Sequence, residues 1–220
     1  IKTGKIKRDK KESIIFRGDD NSYYEKFSDE TVNCIDNEIP FEIPDNWGFE
    51  KIRNIFIINP KNNLDDNTTV SFIPMTMIDD QFSGKYKYEI KTWNTCKKGF
   101  THFASNDVGF AKISPCFENR KSVLFSKLEN NVGAGTTELY IIRRFTDDII
   151  GKYLLYFVKT EYFISKGKGT FSGVVGQQRV DKDVMLDTYI PIPPLKIQKK
   201  IVQKIELLIE QLDNIENNLK

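Results

Sequence analysis

The stretch that decides the architecture is residues 190–219, with the sequence IPIPPLKIQKKIVQKIELLIEQLDNIENNL. The prolines at its start restrict the backbone and remove hydrogen-bond donors, which marks a hinge before the segment that follows. From residue 201 onward, apolar side chains recur at alternating steps of four and three residues, the spacing of a heptad seam. The members of the seam are Ile201, Ile205, Leu208, Leu212, Ile215 and Leu219.

This pattern predicts a long C-terminal helix over residues 196–220. At about 1.5 Å per residue, its seam extends roughly 27 Å. The hinge and the regular seam favour a helix that leaves its domain and pairs with a second helix as a coiled coil. The alternative is an ordinary surface helix packed on its own domain.

A glycine-rich basic segment precedes the hinge, and residues 166–180 have the sequence KGKGTFSGVVGQQRV. Glycines let a backbone approach a phosphate closely, and Lys166 and Lys168 add positive charge. Side chains that can hydrogen-bond to base edges follow at Gln177, Gln178 and Arg179. The segment therefore predicts contact with nucleic acid, with a solvated hairpin tip as the alternative.

The composition indicates a folded domain whose charged surface is local. Of the 220 residues, 39% are hydrophobic and 12% are aromatic, which is enough for a core and argues against global disorder. The net charge is +2, from 33 basic and 31 acidic residues, so a nucleic-acid surface requires local segregation of charge. No apolar run approaches the roughly 20 residues of a membrane span, and no signal peptide is evident. We therefore expect a cytoplasmic protein without membrane contact.

The N-terminal part of the chain is divided into an arm and an entry segment. Residues 1–37 are polar, contain many turn formers and show little periodicity, so we expect an extended arm or linker. The entry segment contains two prolines and the apolar anchors Phe41, Ile43 and Trp47. It opens the main domain, which we assign to residues 38–195.

Within the main domain, short runs of β-branched and aromatic residues predict strands, at residues 70–75, 108–113, 122–125 and 138–142. Apolar residues at three- and four-residue spacing over 148–165 predict one amphipathic helix packed on the sheet. The predicted fold class is α/β (α+β), an irregular twisted sheet with packed helices, followed by the long coiled-coil helix.

Signatures of catalysis are weak. A Walker phosphate loop, a dinucleotide-binding glycine motif and the motif of amino-methyltransferases are all missing, so we expect no cofactor and no catalysis by this chain. One alternative is a metal nuclease that uses Asp80, Glu89 and Lys91, because an acidic-x-Lys pattern can place a metal near an activating lysine.

A metal-binding role for the thiols is not predicted either. The three cysteines, Cys34, Cys96 and Cys116, are widely spaced, and His102 is the only histidine. We expect reduced cysteines and no zinc site.

A second set of candidate DNA contacts lies between two predicted strands. In residues 111–121, arginine suits guanine edges, asparagine suits adenine and lysine neutralises phosphate. The candidates are Lys112, Asn119, Arg120 and Lys121, together with Lys85 and Lys87, which alternate with tyrosines. Arg120 and Arg179 are the predicted base readers, and the lysines are the predicted phosphate contacts. The competing hypothesis is a structural interaction module that uses its helix and does not read DNA.

Six motifs in order resemble one target recognition domain of type I restriction–modification specificity subunits. They are EIPFEIPDNW at 38–47, VSFIPM at 70–75, DVGFAKISPCFENRK at 107–121, GTTEL at 135–139, GQQRV at 176–180, and IPIPPL at 190–195 ahead of Gln198. The resemblance covers the whole chain.

The resemblance implies a non-catalytic subunit with two recognition domains, each followed by a long helix. The two helices pair antiparallel as a spacer, and each domain reads one half of a split target in double-stranded DNA. Methyltransferase (modification) subunits and a restriction subunit assemble on it. Residues 196–220 match the spacer, and residues 1–37 match the connection from a preceding spacer helix. The chain would then be a second half-subunit or a fragment of it, which pairs with another recognition half.

Overall fold

The structure is a computed structural model that describes residues 13–39 and 42–219. The described strands are β1 (Ser13–Arg17), β2 (Tyr23–Phe27), β3 (Val32–Cys34), β4 (Gly48–Lys51), β5 (Phe56–Ile58), β6 (Thr69–Ile73), β7 (Glu89–Thr92), β8 (Thr101–Ala104), β9 (Val108–Ala111), β10 (Ser122–Leu124), β11 (Val132–Gly135), β12 (Leu139–Arg144) and β13 (Tyr189–Ile192). The helices are α1 (Ile52–Ile55), α2 (Trp93–Cys96), α3 (Gly151–Val158), α4 (Glu161–Lys168), α5 (Lys182–Leu186) and α6 (Leu195–Asn218). Within this part of the chain, no helix is both long and apolar enough to cross a membrane.

Two four-stranded sheets form the centre of the domain. One has the order β10-β9-β12-β5 and is antiparallel throughout, and the other has the order β7-β6-β11-β8 with β6 and β11 parallel. The β6–β11 pair is so close that a Cβ on Gly135 would lie 2.1 Å from the Ile73 carbonyl oxygen, which explains a glycine there. The four predicted strand runs are confirmed, as β6, β9, β10 and β12. The predicted mixed α and β fold class is likewise confirmed.

The core lies on both sides of these sheets. Leu154 and Phe157 of α3 are buried with Phe110 of β9 and Phe163 of α4 in the largest apolar cluster. The second cluster contains Phe103, whose ring stacks on Phe125 with centroids 3.9 Å apart. Helix α3 therefore covers the antiparallel sheet, as its apolar spacing predicts.

The prediction of one helix over residues 148–165 is wrong, because two helices occupy this region. Helix α3 ends at Val158, and α4 begins at Glu161 after a break at Lys159 and Thr160. The Thr160 hydroxyl accepts a hydrogen bond from the Phe163 N–H (3.3 Å) and caps α4. The Lys159 side chain is completely buried instead of continuing a polar helix face.

The prediction of an extended arm is wrong for residues 13–34, which form the three-stranded antiparallel sheet β1-β2-β3. The turn formers between β1 and β2 close a hairpin, in which the Gly18 N–H donates to the Ser22 carbonyl (2.9 Å) and Asn21 has φ 66°. Residues 1–12 and the anchor Phe41 lie outside the described residues. The boundary at residue 38 stays a prediction.

A buried carboxylate joins this small sheet to the main domain. Glu25 of β2 accepts hydrogen bonds from the Lys51 ammonium (2.7 and 2.8 Å), the Ser13 hydroxyl (2.5 Å) and the Tyr189 hydroxyl (2.9 Å). Burial acts to raise the pKa of Glu25, but the hydrogen bonds from Lys51, Ser13 and Tyr189 together lower it below its ordinary value. Strand β4 pairs with β13, so this network reaches both ends of the main domain.

Helix α6 is present as predicted and has two different parts. Near its start, Gln198 and Val202 are buried against the domain. The Gln198 side-chain oxygen accepts from the Ile150 N–H (2.8 Å), and its amide donates to the carbonyls of Asp148 (2.9 Å) and Pro193 (2.8 Å). Beyond residue 206 the seam is exposed, at 45% for Leu208, 60% for Leu212, 55% for Ile215 and 81% for Leu219.

The Glu25 network leads to a prediction for acid stability. Replacement of Glu25 by Gln should lower the free energy of unfolding by about 2–3 kcal/mol at pH 7, because Lys51 then loses its buried partner. Because the folded-state pKa of Glu25 is depressed, its contribution is present above pH 4.5 and is lost as the pH falls through that lower pKa. Urea unfolding at pH 7 and pH 3 should therefore show a smaller difference between the proteins at pH 3. The control, Glu30→Gln in the exposed Lys26–Glu30 pair, should change stability by less than about 0.5 kcal/mol.

The Gln198 hydrogen bonds lead to a second prediction. Replacement of Gln198 by Ala should destabilise the chain by about 2–3 kcal/mol, since it leaves a buried N–H and two carbonyls without their partner. Gln203→Ala, at an exposed position of the same helix, should stay within about 0.5 kcal/mol of the wild type. Equal denaturant midpoints for the two variants would show that Gln198 does not hold the helix to the domain.

Candidate nucleic-acid interface

The candidate site is organised around the β9–β10 loop, residues 112–121. The loop is internally bonded, because the Phe117 N–H donates to the Ile113 carbonyl (2.9 Å) and the Arg120 N–H donates to the Phe117 carbonyl (2.9 Å). The Phe117 ring is buried under it and packs against Phe163 and Phe171. The buried Phe117 ring and the hydrogen-bonded turn above it hold the backbone of this loop in one conformation, so its polar side chains have fixed starting positions.

One end of the loop meets the β6–β7 loop, residues 74–88, and we call this the tip patch. It contains Lys85, Lys87, Asn119, Arg120 and Lys121. The two loops are joined by the Gln81 N–H, which donates to the Asn119 carbonyl oxygen at 2.8 Å. Five predicted contact residues from two separate stretches of sequence therefore share one surface.

The side chains of the tip patch differ in their exposure to solvent and in their bonds to neighbouring groups. Lys85, Lys87 and Asn119 are exposed. Lys121 is 13% exposed, and its Nζ lies 3.3 Å from an Asp80 carboxylate oxygen and 3.4 Å from the Met75 carbonyl. Arg120 is 21% exposed, donates from Nε to the Lys159 carbonyl (2.9 Å) and forms an ion pair with Glu161. Phosphate or base contact by Lys121 and Arg120 requires these bonds to be exchanged.

The other end of the loop meets residues 172–180, and we call this the root patch. It contains Lys112, Gln177, Gln178 and Arg179, with their neighbours Glu138 and Tyr140. The Ser114 N–H donates to the Gln178 carbonyl (2.8 Å), and the Val180 N–H donates to the Lys112 carbonyl (2.9 Å). These bonds hold the two segments side by side.

Arg179 is held in the root patch by a bidentate ion pair. Its Nε and Nη2 donate to the two Glu138 carboxylate oxygens at 2.9 and 2.8 Å. The hydrogen bond from Arg179 lowers the pKa of Glu138, which stays ionised. Nearby, the Lys112 Nζ lies 5.3 Å from the centre of the Tyr140 ring, a cation–π contact. The Arg179 side chain is 48% exposed, so its guanidinium is oriented and still reachable from solvent.

The glycine-rich segment is a short hairpin. Ser172 and Arg179 exchange both backbone hydrogen bonds, at 3.1 and 2.9 Å. Gly173 and Gly176 have φ of 111° and 83°, which non-glycine residues rarely adopt, and they let the chain reverse. The tip exposes Val174 and Val175, at 78% and 88%. These two valines are not among the predicted contact residues, although an apolar pair between glycines is a visible signal in the sequence.

Lys166 and Lys168 are not in a flexible loop, because both lie in the last turn of α4. Lys168 is exposed, whereas Lys166 is half-buried and burial lowers its pKa. Between them, Gly167 packs so tightly on Phe117 that a Cβ would lie 2.3 Å from the ring. Gly167 thus lies beside the β9–β10 loop, and both lysines lie outside the hairpin, with Lys166 near Glu38 and Asp187.

The residues of the nuclease alternative have other partners. Asp80 pairs with Lys121, Glu89 lies 3.4 Å from Lys91, and the Lys91 Nζ lies 3.6 Å from the centre of the Phe72 ring. Among residues 13–39 and 42–219, no three His, Cys, Asp or Glu side chains are grouped so that they could hold a metal.

His102 occupies a buried structural position. Its Nδ1 accepts from the Asn62 N–H (3.3 Å), and its Nε2 lies 3.0 Å from the Lys97 carbonyl, which requires the Nε2–H tautomer. Burial lowers the pKa of His102, so the ring is neutral at pH 7.

Comparison with known families identifies the chain. The family model described as the type I restriction modification DNA specificity domain matches residues 44–220. The chain belongs to this family. Two curated relatives from Escherichia coli are the specificity subunits of the type I restriction enzymes EcoAI and EcoEI, which are 43% and 40% identical to it over 182 residues.

These alignments cover 82% and 81% of this chain and 31% of each relative, so the chain spans about a third of their length. Among solved structures, the HsdS subunit from Thermoanaerobacter tengcongensis has a TM-score of 0.66 at 18% identity, over 82% of this chain and 46% of that one. A chain from a structure of type I R-M complex assembly and conformational transition has a TM-score of 0.66 at 19% identity, over 81% and 46%. At these identities, both structures establish the fold.

Proposed function

We propose that this chain is the sequence-specific, non-catalytic DNA-recognition half of a type I specificity subunit. It reads one half of a split target in double-stranded DNA and serves as a scaffold for methyltransferase and restriction subunits. Family membership supports the assignment. The observation that carries it is the convergence of the tip and root patches on one loop, because the predicted contacts come from three distant stretches of sequence.

The exposed polar groups suit the two parts of DNA binding. Lys85, Lys87 and Lys168 present exposed ammonium groups that can neutralise phosphates. Arg179 is the better base reader of the two arginines, because an exposed ion pair has little net stability and a guanine edge offers the same bidentate acceptor as Glu138. Arg120 is anchored additionally by the Lys159 carbonyl, which favours a role in shaping the loop.

Helix α6 suits a spacer that pairs with a second recognition half. Its exposed seam begins beside an apolar cleft of about 220 Å³, whose lining includes Trp47, Tyr156, Ile201 and Ile205. The cleft and the seam together offer a continuous apolar strip to an antiparallel helix. The longer E. coli relatives have room for a second recognition half and its helix.

The proposal predicts enrichment of a defined motif when bound duplexes are selected from a randomised DNA pool, with the chain alone and with its cognate methyltransferase subunit. Arg179→Ala should relax the preference at one base pair by about 1–3 kcal/mol, because a bidentate guanine contact is lost. Arg120→Ala is the matched arginine control and should leave the preference at that base pair unchanged. Absence of any enriched motif, even with the partner, would contradict DNA recognition and favour the interaction-module alternative.

The exposed lysines predict the salt dependence. Lys85→Ala combined with Lys87→Ala should weaken binding equally for target and non-target duplexes and lower the slope of log K against log salt by about 2, one per phosphate contact. Titrations at several salt concentrations measure this slope. Lys204→Ala, an exposed lysine on α6, should leave it unchanged. An unaltered slope in the double variant would remove both lysines from the interface.

A further inference from the structure

An exposed aromatic ring stands at the apex of the β6–β7 loop, within the tip patch. Phe82 is 44% exposed, and the guanidinium carbon of Arg120 lies 5.7 Å from its ring centre. Its neighbours Gln81 and Ser83 are exposed and polar, and Lys85 follows in the same loop. The ring thus projects into solvent among polar and cationic groups.

The loop that carries Phe82 is fixed from below by one ammonium group. The Lys159 side chain is completely buried, and its Nζ donates to the carbonyls of Gln81 (2.6 Å), Arg120 (3.0 Å) and Ser122 (3.1 Å). All three N–H bonds of the ammonium are used, and they join the β6–β7 loop to the β9–β10 loop. Gln81, the residue directly before Phe82, is therefore hydrogen-bonded to a buried side chain.

The backbone at this point is held in an unfavourable conformation. Gln81 and Arg120 have φ of 57° and 56°, in the left-handed region that non-glycine residues rarely occupy. The Lys159 ammonium donates hydrogen bonds to the carbonyls of both of these residues. Such a conformation persists only where the surrounding structure fixes the backbone, as the Lys159 hydrogen bonds do here.

We propose that Phe82 is a wedge that contacts the base stack of the DNA, entering at a base step beside the phosphates bound by the tip patch. The proposal rests on the proposed function and names a contact residue within it. Apolar side chains inserted at a step partly unstack the bases and kink the duplex, which yields discrimination through the deformability of that step. A protein partner would require a larger contiguous apolar surface than one ring among cations.

The test uses the full-length specificity subunit, assembled with its methyltransferase subunits, on the duplex obtained by selection. 2-Aminopurine replaces one base at a time, and its fluorescence rises where stacking is lost. The wild type should give a rise at one step in the half-site of this domain, and Phe82→Ala should abolish that rise and lower affinity about tenfold. Phe82→Trp should retain it, since a large ring can still enter the step.

Two controls make the result specific. Phe16→Ala removes a phenylalanine of similar exposure (41%) from β1 and should keep the rise. The base that the methyltransferase extrudes gives its own fluorescence rise, which should persist in every variant that forms the complex.

Apart from the rise at the extruded base, four results would overturn the wedge: a wild-type complex with no further rise in this half-site, a further rise that survives Phe82→Ala, a further rise that is lost equally in Phe16→Ala, or a Phe82→Ala variant whose only defect is weaker methyltransferase assembly. Failure of the wild-type complex to bind any duplex would instead overturn the proposed function and the wedge with it.

Discussion

The loops that carry the candidate DNA contacts depend on one buried ammonium group. Burial and the nearby Arg120 lower the pKa of Lys159 to about 8, so the group remains protonated at neutral pH and can donate three hydrogen bonds. An ammonium group away from water is tolerated only when its donors are satisfied, and here the acceptors are carbonyls of two separate loops. Lys159 also lies at the end of α3, directly before Thr160, whose extended backbone separates α3 from α4. The residue at the end of α3 therefore holds the two loops of the tip patch together.

Buried polar side chains also connect other elements of the structure. Glu25 joins the small N-terminal sheet to β4 and β13, and Gln198 joins α6 to the segment before α3. In each case a buried polar side chain satisfies groups that come from distant parts of the sequence, and a missing partner would leave a desolvated group. Such contacts specify how elements are arranged more strictly than apolar packing alone.

The arginines of the candidate site are paired with carboxylates, in keeping with the nearly neutral charge of the chain. Arg120 and Arg179 are each held by a carboxylate, Glu161 and Glu138 respectively. Under the proposed function, Glu138 orients the Arg179 guanidinium before DNA arrives and a guanine edge replaces it with the same geometry, whereas Arg120 stays bonded to Glu161 and the Lys159 carbonyl. In this proposal the exchange at Arg179 favours discrimination between sequences over strong attraction to any DNA, and the exposed lysines supply the attraction. A recognition surface of this kind does not require a strongly basic protein.

The sequence by itself determined the elements whose signal is local. The heptad steps of α6, the β-branched runs of β6, β9, β10 and β12, and the ordered motifs that identify the family are all visible without a structure, because periodicity and short motifs depend on neighbouring residues. For the site, the sequence named the polar residues of both patches but neither Phe82 nor the carboxylates that hold the arginines. Only the tertiary structure decided those features, together with the β1-β2-β3 sheet and the docking of Gln198. The physical reason is that burial, ion pairing and exposure depend on which distant segments meet: Arg120 and Glu161 are 41 residues apart, and so are Glu138 and Arg179.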